Sequence, residues 1–285
     1  MTIKKVGVVG SGLMGRGIVE VCARSGYDVV LVASRDESLQ RGMKIIENSL
    51  NRAVEKGRAT AEESKTTWSH IKGSVKNEDL KDCDLVVESV NENMELKRKI
   101  FTEIDKICPP HAILATNTSC LSVMEIASTT QRPDKVLGLH FFNPVPMMKL
   151  VEIVKTFTTS ETTLAASEQF AKSLGKETLV VSDTPGFIVV RLVMPFVLGA
   201  IRLYESGVAT KEEIDQAIVL GLNYPTGPLA LVDFIGLDTI LSIATAMYQE
   251  LKDPQYTPPV LLKRLVAAGH LGRKTNKGFY YYDKR

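Results

Sequence analysis

The sequence has few of the residues that form disulfides or bind metals. Its 285 residues include 4 cysteines and 4 histidines. The cysteines form no CxxC pair, and the histidines show no HExxH or similar spacing. Because such spacings are typical of structural disulfides and zinc sites, we expect free thiols, a reducing cytoplasmic location and no metal.

Charge of one sign and long apolar runs are also lacking. The formal net charge is only +2, and no block of lysine and arginine suggests nucleic-acid binding. The longest apolar stretch, residues 187–201, is interrupted by Arg191 and Pro195, which is typical of a buried helix and not of a membrane span. The opening MTIKK runs directly into a strand-like segment and does not resemble a secretory signal. We therefore expect neither a nucleic-acid nor a membrane partner.

Residues 1–183 alternate short β-branched runs with helical segments. The predicted strands cover 6–10, 29–33, 84–89, 112–116, 136–142, 149–154 and 178–181. The predicted helices cover 14–25, 36–56, 94–107, 121–128 and 161–174. Such alternation is typical of βαβ units, so we predict an α/β domain with a mostly parallel sheet over residues 1–183.

Residues 184–285 lack this alternation. Helical periodicity covers 186–207, 211–220, 236–251 and 259–268, and only FYYY at 279–282 resembles a strand. The sequence SDTPG at 182–186 supplies turn residues between the two patterns. We predict an all-α second domain over residues 184–285.

A glycine-rich turn follows the first predicted strand and opens a helix. Gly10, Gly12 and Gly15 form GxGxxG, with Leu13 and Met14 between the last two glycines. Gly10 permits the tight turn, Gly12 lets the backbone approach a pyrophosphate, and Gly15 lets the helix pack closely on the strand. Because the helix N-terminus also favours phosphate, these five residues predict a dinucleotide-binding site.

The second predicted strand lacks the acid that normally accompanies such a turn about 20 residues on. The strand tip is Ala33, followed by Ser34 and Arg35. An aspartate there would bind the ribose 2′-hydroxyl and repel a 2′-phosphate, whereas Ser34 and Arg35 can bind a phosphate. We favour NADP(H); NAD(H) is the alternative if Arg35 is a solvated surface residue.

A histidine and a glutamate lie in two neighbouring predicted strands. His140 is in GLHFFNP, and Glu152 is in KLVEIV. An acid on a neighbouring strand can hold an imidazole in one tautomer and raise its basicity. By spacing alone, His140 can equally be a core histidine and Glu152 an exposed edge residue.

Five motifs resemble the L-3-hydroxyacyl-CoA dehydrogenase family, most closely its bacterial 3-hydroxybutyryl-CoA branch. In chain order they are GSGLMGRG, ATNTSCLS, GLHFFNPVPMMKLVEIV, DTPGFIVVRL and GRKTNKGFYYY. The resemblance implies a Rossmann-type N-terminal domain and a helical C-terminal domain. It also implies an acyl-CoA substrate and a homodimer formed through the C-terminal domain.

The implied reaction is reversible hydride transfer at C3 of a short-chain acyl-CoA such as acetoacetyl-CoA. The resemblance assigns His140 as the general base, Glu152 as the acid that orients it, and Ser119 as a ligand of the reacting hydroxyl. The further positions that it implies are Ser49, Lys56, Asn143 and Val190 for the substrate, and Glu92, Lys97, Asn117 and Lys274 for the cofactor.

Two positions depart from the family pattern. Ala33 stands where the family usually has aspartate, and GFIVVR replaces GFIxNR, so that Val190 stands where an asparagine contacts the reacting region. Valine can neither donate nor accept a hydrogen bond. Two alternatives therefore stay open: a dehydrogenase of another 3-hydroxy acid not linked to CoA, and a dinucleotide or acyl-CoA binding protein with weakened turnover.

Overall fold

The chain divides into two compact units in a computed structural model that describes residues 2–283. Unit 1 ends at Asp183, and unit 2 begins at Thr184. Unit 1 contains one sheet with helices, and unit 2 is built from helices.

The sheet of unit 1 has eight strands within the described residues. They are β1 (Lys5–Val9), β2 (Asp28–Val32), β3 (Ile71–Ser74), β4 (Leu85–Glu88), β5 (Ile113–Thr116), β6 (Val136–Phe141), β7 (Leu150–Lys155) and β8 (Glu177–Ser182). Their order is β3-β2-β1-β4-β5-β6-β7-β8. Only the β6–β7 pair in this sheet is antiparallel, so the predicted mostly parallel sheet is confirmed.

Six α-helices accompany this sheet in the described part of unit 1. They are α1 (Leu13–Arg24), α2 (Asp36–Glu55), α3 (Ala61–Ser69), α4 (Met94–Ile107), α5 (Val123–Ala127) and α6 (Glu161–Ser173), with short 3₁₀ helices at Asn77–Leu80 and Pro133–Lys135. Every residue of β4, β5 and β6 is buried. Burial on both faces explains why these strands are apolar runs without alternation.

Helix α3 and strand β3 were absent from the sequence prediction. The helix begins with a capping box, in which the Thr60 side chain accepts from the Glu63 backbone N–H and the Glu63 carboxylate accepts from the Thr60 N–H. These hydrogen bonds also hold the pKa of Glu63 below its usual value. The short strand that follows pairs with β2 at one edge of the sheet.

Unit 2 has five α-helices within the described residues. They are α7 (Val189–Glu205), α8 (Lys211–Leu222), α9 (Pro228–Ile235), α10 (Leu237–Leu251) and α11 (Val260–Ala267), with 3₁₀ helices at Pro254–Tyr256 and Arg273–Thr275. Helix α9 was not predicted. Across residues 2–283, no single helix is long and apolar enough to cross a membrane. Helices α9 and α10 meet that length and composition only as a pair, bent by 96° at the break.

The segment 279–282 is not a strand, contrary to its strand-like sequence. It makes only an isolated bridge, Lys277 to Tyr281. A carboxylate, and not a neighbouring strand, binds its first backbone N–H groups: Asp233 accepts hydrogen bonds from the N–H groups of Phe279 and Tyr280. The Tyr280 hydroxyl donates to Asp215, which also caps the N-terminus of α9.

The position of β1 determines where unit 1 can bind a ligand. Strand β1 lies between β2 and β4: the chain continues from β1 through β2 to β3 on one side and then crosses to β4 on the other side. In sheets of this kind, ligands bind beyond the carboxyl ends of the strands at that reversal point. The turn after β1 and the residues after β4 and β5 are therefore expected to border a ligand site.

Candidate active site

The glycine-rich turn after β1 is built for close backbone contact. Gly10 has a φ of +115°, and a Cβ atom there would lie 2.5 Å from the Ser89 carbonyl oxygen. A Cβ at Gly15 would lie 1.9 Å from the Gly10 carbonyl oxygen. A Cβ at Gly12 would meet nothing within 4 Å, so this backbone faces open space at the start of α1. Leu13 is exposed at that start, while Met14 is half-buried against the core.

A cavity of about 610 Å³ opens beside this turn. Its wall includes Gly10 and Gly12 from the turn, Ala33 and Ser34 from the end of β2, and Ser89 from the end of β4. The first helical N–H groups of α1 receive no side-chain cap from Gly12. An open backbone, uncapped amides and a cavity at the reversal point fit the diphosphate and adenosine of a dinucleotide.

The three residues after β2 differ in whether they line the cavity. Ala33 is buried at the cavity wall, and Ser34 is exposed to the cavity. Arg35 is exposed at the N-cap position of α2 and is not among the residues lining the cavity. The side chain that the sequence suggested for phosphate binding is therefore placed outside this wall.

A fully buried lysine pairs with two carboxylates where β4 ends. The Lys97 Nζ atom lies 2.8 Å from Glu88 Oε1 and 3.4 Å from Glu92 Oε2. Glu88 also accepts hydrogen bonds from the Val90 N–H and the Thr116 hydroxyl. Buried charges need such pairing to be stable. Lys97 is fully buried and is not among the residues that line the cavity.

Glu92 connects this ion pair to the loop after β5. Its Oε1 atom accepts hydrogen bonds from the Thr118 hydroxyl and, at 2.8 Å, from the Ser119 backbone N–H. On the other side of the loop, the Asp183 carboxylate accepts from the Ser122 hydroxyl and from the N–H groups of Val123 and Met124, capping α5. The loop that carries Ser119 is thus held at both ends by carboxylates.

Asn117 joins the end of β5 to β6. Its backbone N–H donates to the Glu88 carbonyl at 2.8 Å, and its side-chain oxygen accepts from the Phe141 N–H at 2.8 Å. Its side-chain nitrogen lies 3.4 Å from Ser89 Oγ, which lines the cavity. The buried amide therefore connects the cavity wall with the strand that carries His140.

Ser119, His140 and Glu152 form a hydrogen-bonded line. His140 and Glu152 lie directly opposite each other in the antiparallel β6–β7 pair. The His140 Nδ1 atom is 2.7 Å from Glu152 Oε2, and its Nε2 atom is 3.2 Å from Ser119 Oγ. Because the carboxylate accepts the Nδ1 proton, Nε2 becomes the nitrogen that can exchange a proton with a ligand.

The segment after β6 is fixed by another buried lysine. Asn143 is half-buried and precedes a cis peptide bond to Pro144. The Lys176 Nζ atom donates to the carbonyl oxygens of Val145 and Met148, at 2.6 and 2.7 Å. Burial lowers the pKa of Lys176 below its usual value. Lys176 thus fixes the backbone of the segment that follows Asn143.

The two residues suggested for coenzyme A lie on α2 and at its end. The Ser49 hydroxyl is half-buried and hydrogen-bonds the Glu20 carboxylate of α1, whose pKa is raised by burial. Lys56 is exposed at the C-cap of α2. The structure thus brings Ser49 to a helix–helix contact and leaves Lys56 on the surface.

Two suggested site residues belong to unit 2. Val190 is half-buried in the first turn of α7. Lys274 lies in the 3₁₀ helix Arg273–Thr275, where its Nζ atom pairs with the Asp238 carboxylate. The Lys274 side chain is therefore positioned by a contact within the helical unit.

The cysteines do not provide a nucleophile. All four, namely Cys22, Cys83, Cys108 and Cys120, are free and buried. Burial raises the pKa of Cys83 to about 12 and that of Cys108 to about 12, so these thiols stay protonated near neutral pH. Among residues 2–283, no group of three or more histidine, cysteine, aspartate or glutamate side chains is arranged to hold a metal.

Several site residues were missed from the sequence. They are Glu88 and Thr118 beside the Ser119 loop, Asp183 at the cap of α5, and Arg16, Ser38 and Arg41 on the cavity wall. Glu88 could have been found, because a carboxylate that ends a buried apolar strand needs a partner. Arg16 directly follows the last glycine of GxGxxG, which also placed it beside the turn.

The doubly wound sheet, the glycine turn at its reversal point and the cavity beside it define unit 1 as a dinucleotide-binding domain. Comparison with known proteins narrows this class. Residues 5–184 match the family "3-hydroxyacyl-CoA dehydrogenase, NAD binding domain", and residues 186–282 match "3-hydroxyacyl-CoA dehydrogenase, C-terminal domain". The chain belongs to the 3-hydroxyacyl-CoA dehydrogenase family and is a nicotinamide-dependent oxidoreductase.

Three relatives illustrate how closely the whole chain follows the family. It is 46% identical to the 3-hydroxybutyryl-CoA dehydrogenase of Clostridioides difficile, over 98% of this chain and 100% of the relative. The crystal structure of FadB2 from M. tuberculosis matches with a TM-score of 0.97 and 45% identity, covering 99% and 100% of the two chains. The (S)-3-hydroxybutyryl-CoA dehydrogenase PaaH1 from Ralstonia eutropha matches with a TM-score of 0.93 and 44% identity, with the same coverage. The resemblance inferred from the five motifs is confirmed.

Proposed function

We propose that the protein interconverts a short-chain (S)-3-hydroxyacyl-CoA, such as 3-hydroxybutyryl-CoA, and the corresponding 3-oxoacyl-CoA. The observation that carries the proposal is the line Ser119–His140–Glu152, which combines a proton-exchanging nitrogen, a hydroxyl beside it and a carboxylate behind it. The names of the relatives at 44–46% identity support 3-hydroxybutyryl-CoA as the substrate. When bound, the nicotinamide ring supplies or accepts the hydride.

His140 moves the proton in this mechanism. In oxidation, the neutral Nε2 atom takes the proton of the 3-hydroxyl; in reduction, the imidazolium returns it to the developing alkoxide. Glu152 stabilises the imidazolium from Nδ1, and its complete burial strengthens that interaction. The Ser119 hydroxyl, adjacent to Nε2, donates a hydrogen bond to the same substrate oxygen and orients it.

Glu92 and Asn117 position these groups on the cofactor side. Glu92 holds the Ser119 backbone N–H, and Asn117 holds the Phe141 N–H next to His140. Lys97 acts through Glu92 and Glu88. The family resemblance further proposes Ser49, Lys56, Asn143 and Val190 for the substrate and Lys274 for the cofactor. The four buried thiols support a reducing cytoplasmic location.

NADP(H) is the favoured cofactor in this proposal. Buried Ala33 ends β2 where an aspartate would repel a 2′-phosphate, and Ser34 faces the cavity. Charge-assisted hydrogen bonds to a phosphate contribute about 1.5–3 kcal/mol, which corresponds to roughly ten- to a hundredfold selectivity. If the chain uses NAD(H), it binds this cofactor without the aspartate that usually binds the ribose 2′-hydroxyl.

One assay tests the substrate and the cofactor together. Absorbance of the reduced nicotinamide is followed with acetoacetyl-CoA, with acetoacetate and with a CoA-free 3-oxo ester, each with NADPH and with NADH at matched ionic strength. We expect turnover only with the CoA thioester and a higher kcat/KM for NADPH. Equal rates with CoA-free substrates would show a different hydroxy-acid dehydrogenase. Binding of the cofactor and of acetoacetyl-CoA without turnover would indicate a binding protein with weakened catalysis, the alternative that Val190 leaves open.

We further propose that the protein is a homodimer formed mainly through unit 2. This unit exposes several large apolar side chains, including Leu192 at 70% and Leu220 at 74% of full exposure. Exposed apolar clusters on a monomer are typical of protein interfaces. A second copy of the chain is the partner that the family resemblance favours.

Light scattering after gel filtration tests this assembly. The wild-type protein is expected at twice the chain mass of 31.3 kDa at micromolar concentration. Leu220→Glu, which introduces a charge into the exposed apolar surface, should shift the population towards the monomer. The matched control is Phe157→Glu, at a fully exposed phenylalanine of unit 1, which should leave the mass unchanged. A wild-type monomer would contradict the proposal.

A further inference from the structure

Two arginines that lie outside the glycine motif line the nucleotide cavity. Arg16 lies in the first turns of α1, and Arg41 lies on α2. Both contribute to the cavity wall, together with Ser34 and Ser38 at the start of α2. The same wall includes Ala33, the residue that follows β2.

Packing of α2 against the glycine turn brings these arginines together. A Cβ atom at Gly42, the neighbour of Arg41, would lie 3.0 Å from Ser11 Cβ, so this turn of α2 rests directly on the glycine turn. The Arg16 guanidinium donates a hydrogen bond to the Ser11 carbonyl oxygen at 3.3 Å, so it also lies beside the glycine turn. Ser11 is thus the common neighbour that both helices contact.

The charges on the cavity wall are predominantly positive. Its ionisable residues are Arg16, Arg41, Lys99 and Glu103. Burial, and next the positive charge of Arg41, lower the pKa of Arg16 below its usual value. Two like charges on a concave wall are expected where an anion neutralises both of them.

We propose that Arg41 and Arg16, with the Ser38 hydroxyl, form the site for the 2′-phosphate of NADP(H), and that Arg35 does not bind this phosphate. The inference rests on the cofactor preference proposed above and names the residues responsible for it. Guanidinium groups suit a phosphate because their planar N–H donors can bind two of its oxygens at once. Ala33, which lines the same wall, leaves the phosphate without a carboxylate at the end of β2.

Binding of nucleotide fragments tests the site without relying on turnover. Calorimetric titrations of the full-length protein use 2′,5′-ADP, which carries the 2′-phosphate, and 5′-AMP, which lacks it. The wild-type protein should bind 2′,5′-ADP more tightly. Arg41→Met should weaken 2′,5′-ADP by about tenfold or more, as expected for loss of a charge-assisted contact, and change 5′-AMP by less than about threefold. Arg16→Gln and Ser38→Ala should weaken 2′,5′-ADP in the same selective way.

Arg35→Met is the matched control, because it removes the same charge from the same helix end outside the cavity wall. It should leave both affinities within about threefold of the wild type, as a screened surface charge does. Loss of 2′,5′-ADP binding in Arg35→Met but not in Arg41→Met would overturn this site while the NADP(H) preference stands. An equal loss of both ligands in Arg41→Met would place Arg41 at the 5′-phosphate. Wild-type protein that binds both fragments equally would overturn the preference itself.

Discussion

Replacing His140 with glutamine is expected to lower kcat for acetoacetyl-CoA reduction by about 10²–10⁴-fold, the usual contribution of a general acid or base. Glutamine keeps a polar side chain next to Glu152 but cannot exchange a proton near neutral pH. Cofactor affinity should change little, because the imidazole acts on the substrate oxygen. The measurements are kcat and KM by absorbance, and cofactor binding by titration.

Two further variants separate chemistry from structure. His111→Gln removes an exposed imidazole that hydrogen-bonds Asp84, and it should leave kcat unchanged. Glu152→Gln can still accept the Nδ1 proton but cannot neutralise an imidazolium, so its kcat should fall between those of wild type and His140→Gln. A His140→Gln protein with turnover within about threefold of wild type would show that another group moves the proton.

Replacing Lys97 with methionine is expected to lower the free energy of unfolding by about 3–5 kcal/mol, the usual effect of removing one partner of a buried ion pair. Glu88 is fully buried and would lose the ammonium group with which it is paired. Because the pair also reaches Glu92, the loop carrying Ser119 should loosen as well. Denaturant unfolding followed by circular dichroism measures the change.

Lys99→Met is the matched control for this prediction. Lys99 lies two residues further along α4 and is exposed, so the same substitution there should change the unfolding free energy by less than about 0.5 kcal/mol. Adding Glu88→Gln to Lys97→Met should restore part of the lost stability, because the uncompensated charge is then removed. Equal stability of the Lys97→Met and Lys99→Met proteins would show that the buried pair contributes nothing.

The sheet of unit 1 could be predicted from the sequence because its central strands β4, β5 and β6 are short apolar runs buried on both faces. The glycine spacing after β1 predicted the tight turn, and the structure gives the physical reason. There is no room for a Cβ atom at Gly10 or Gly15. Periodicity did not reveal helix α3 or strand β3. The strand, IKGS, is short and only partly buried. The Thr60–Glu63 capping box was the clue to the helix.

The candidate site was only partly predictable. Ser119, His140 and Glu152 came from motif resemblance, but their contact depends on the antiparallel register of β6 and β7, which strand patterns alone do not determine. Lys97 was expected to face the cofactor. Its helical spacing with Phe101 and Ile104 places it on the apolar face of α4, so the sequence did contain the reason for its burial.

Asp183 determines where unit 1 can be separated from the rest of the chain. Strand β8 ends at Ser182, yet the next side chain accepts the hydrogen bonds at the start of α5, about sixty positions earlier. A fragment that stops with the last strand would leave these helix N–H groups without their carboxylate, beside the loop that carries Ser119. A fragment that includes one more residue keeps them. The shortest fragment of unit 1 that we expect to retain the shape of the loop carrying Ser119 is therefore defined by a helix cap and not by the edge of the sheet.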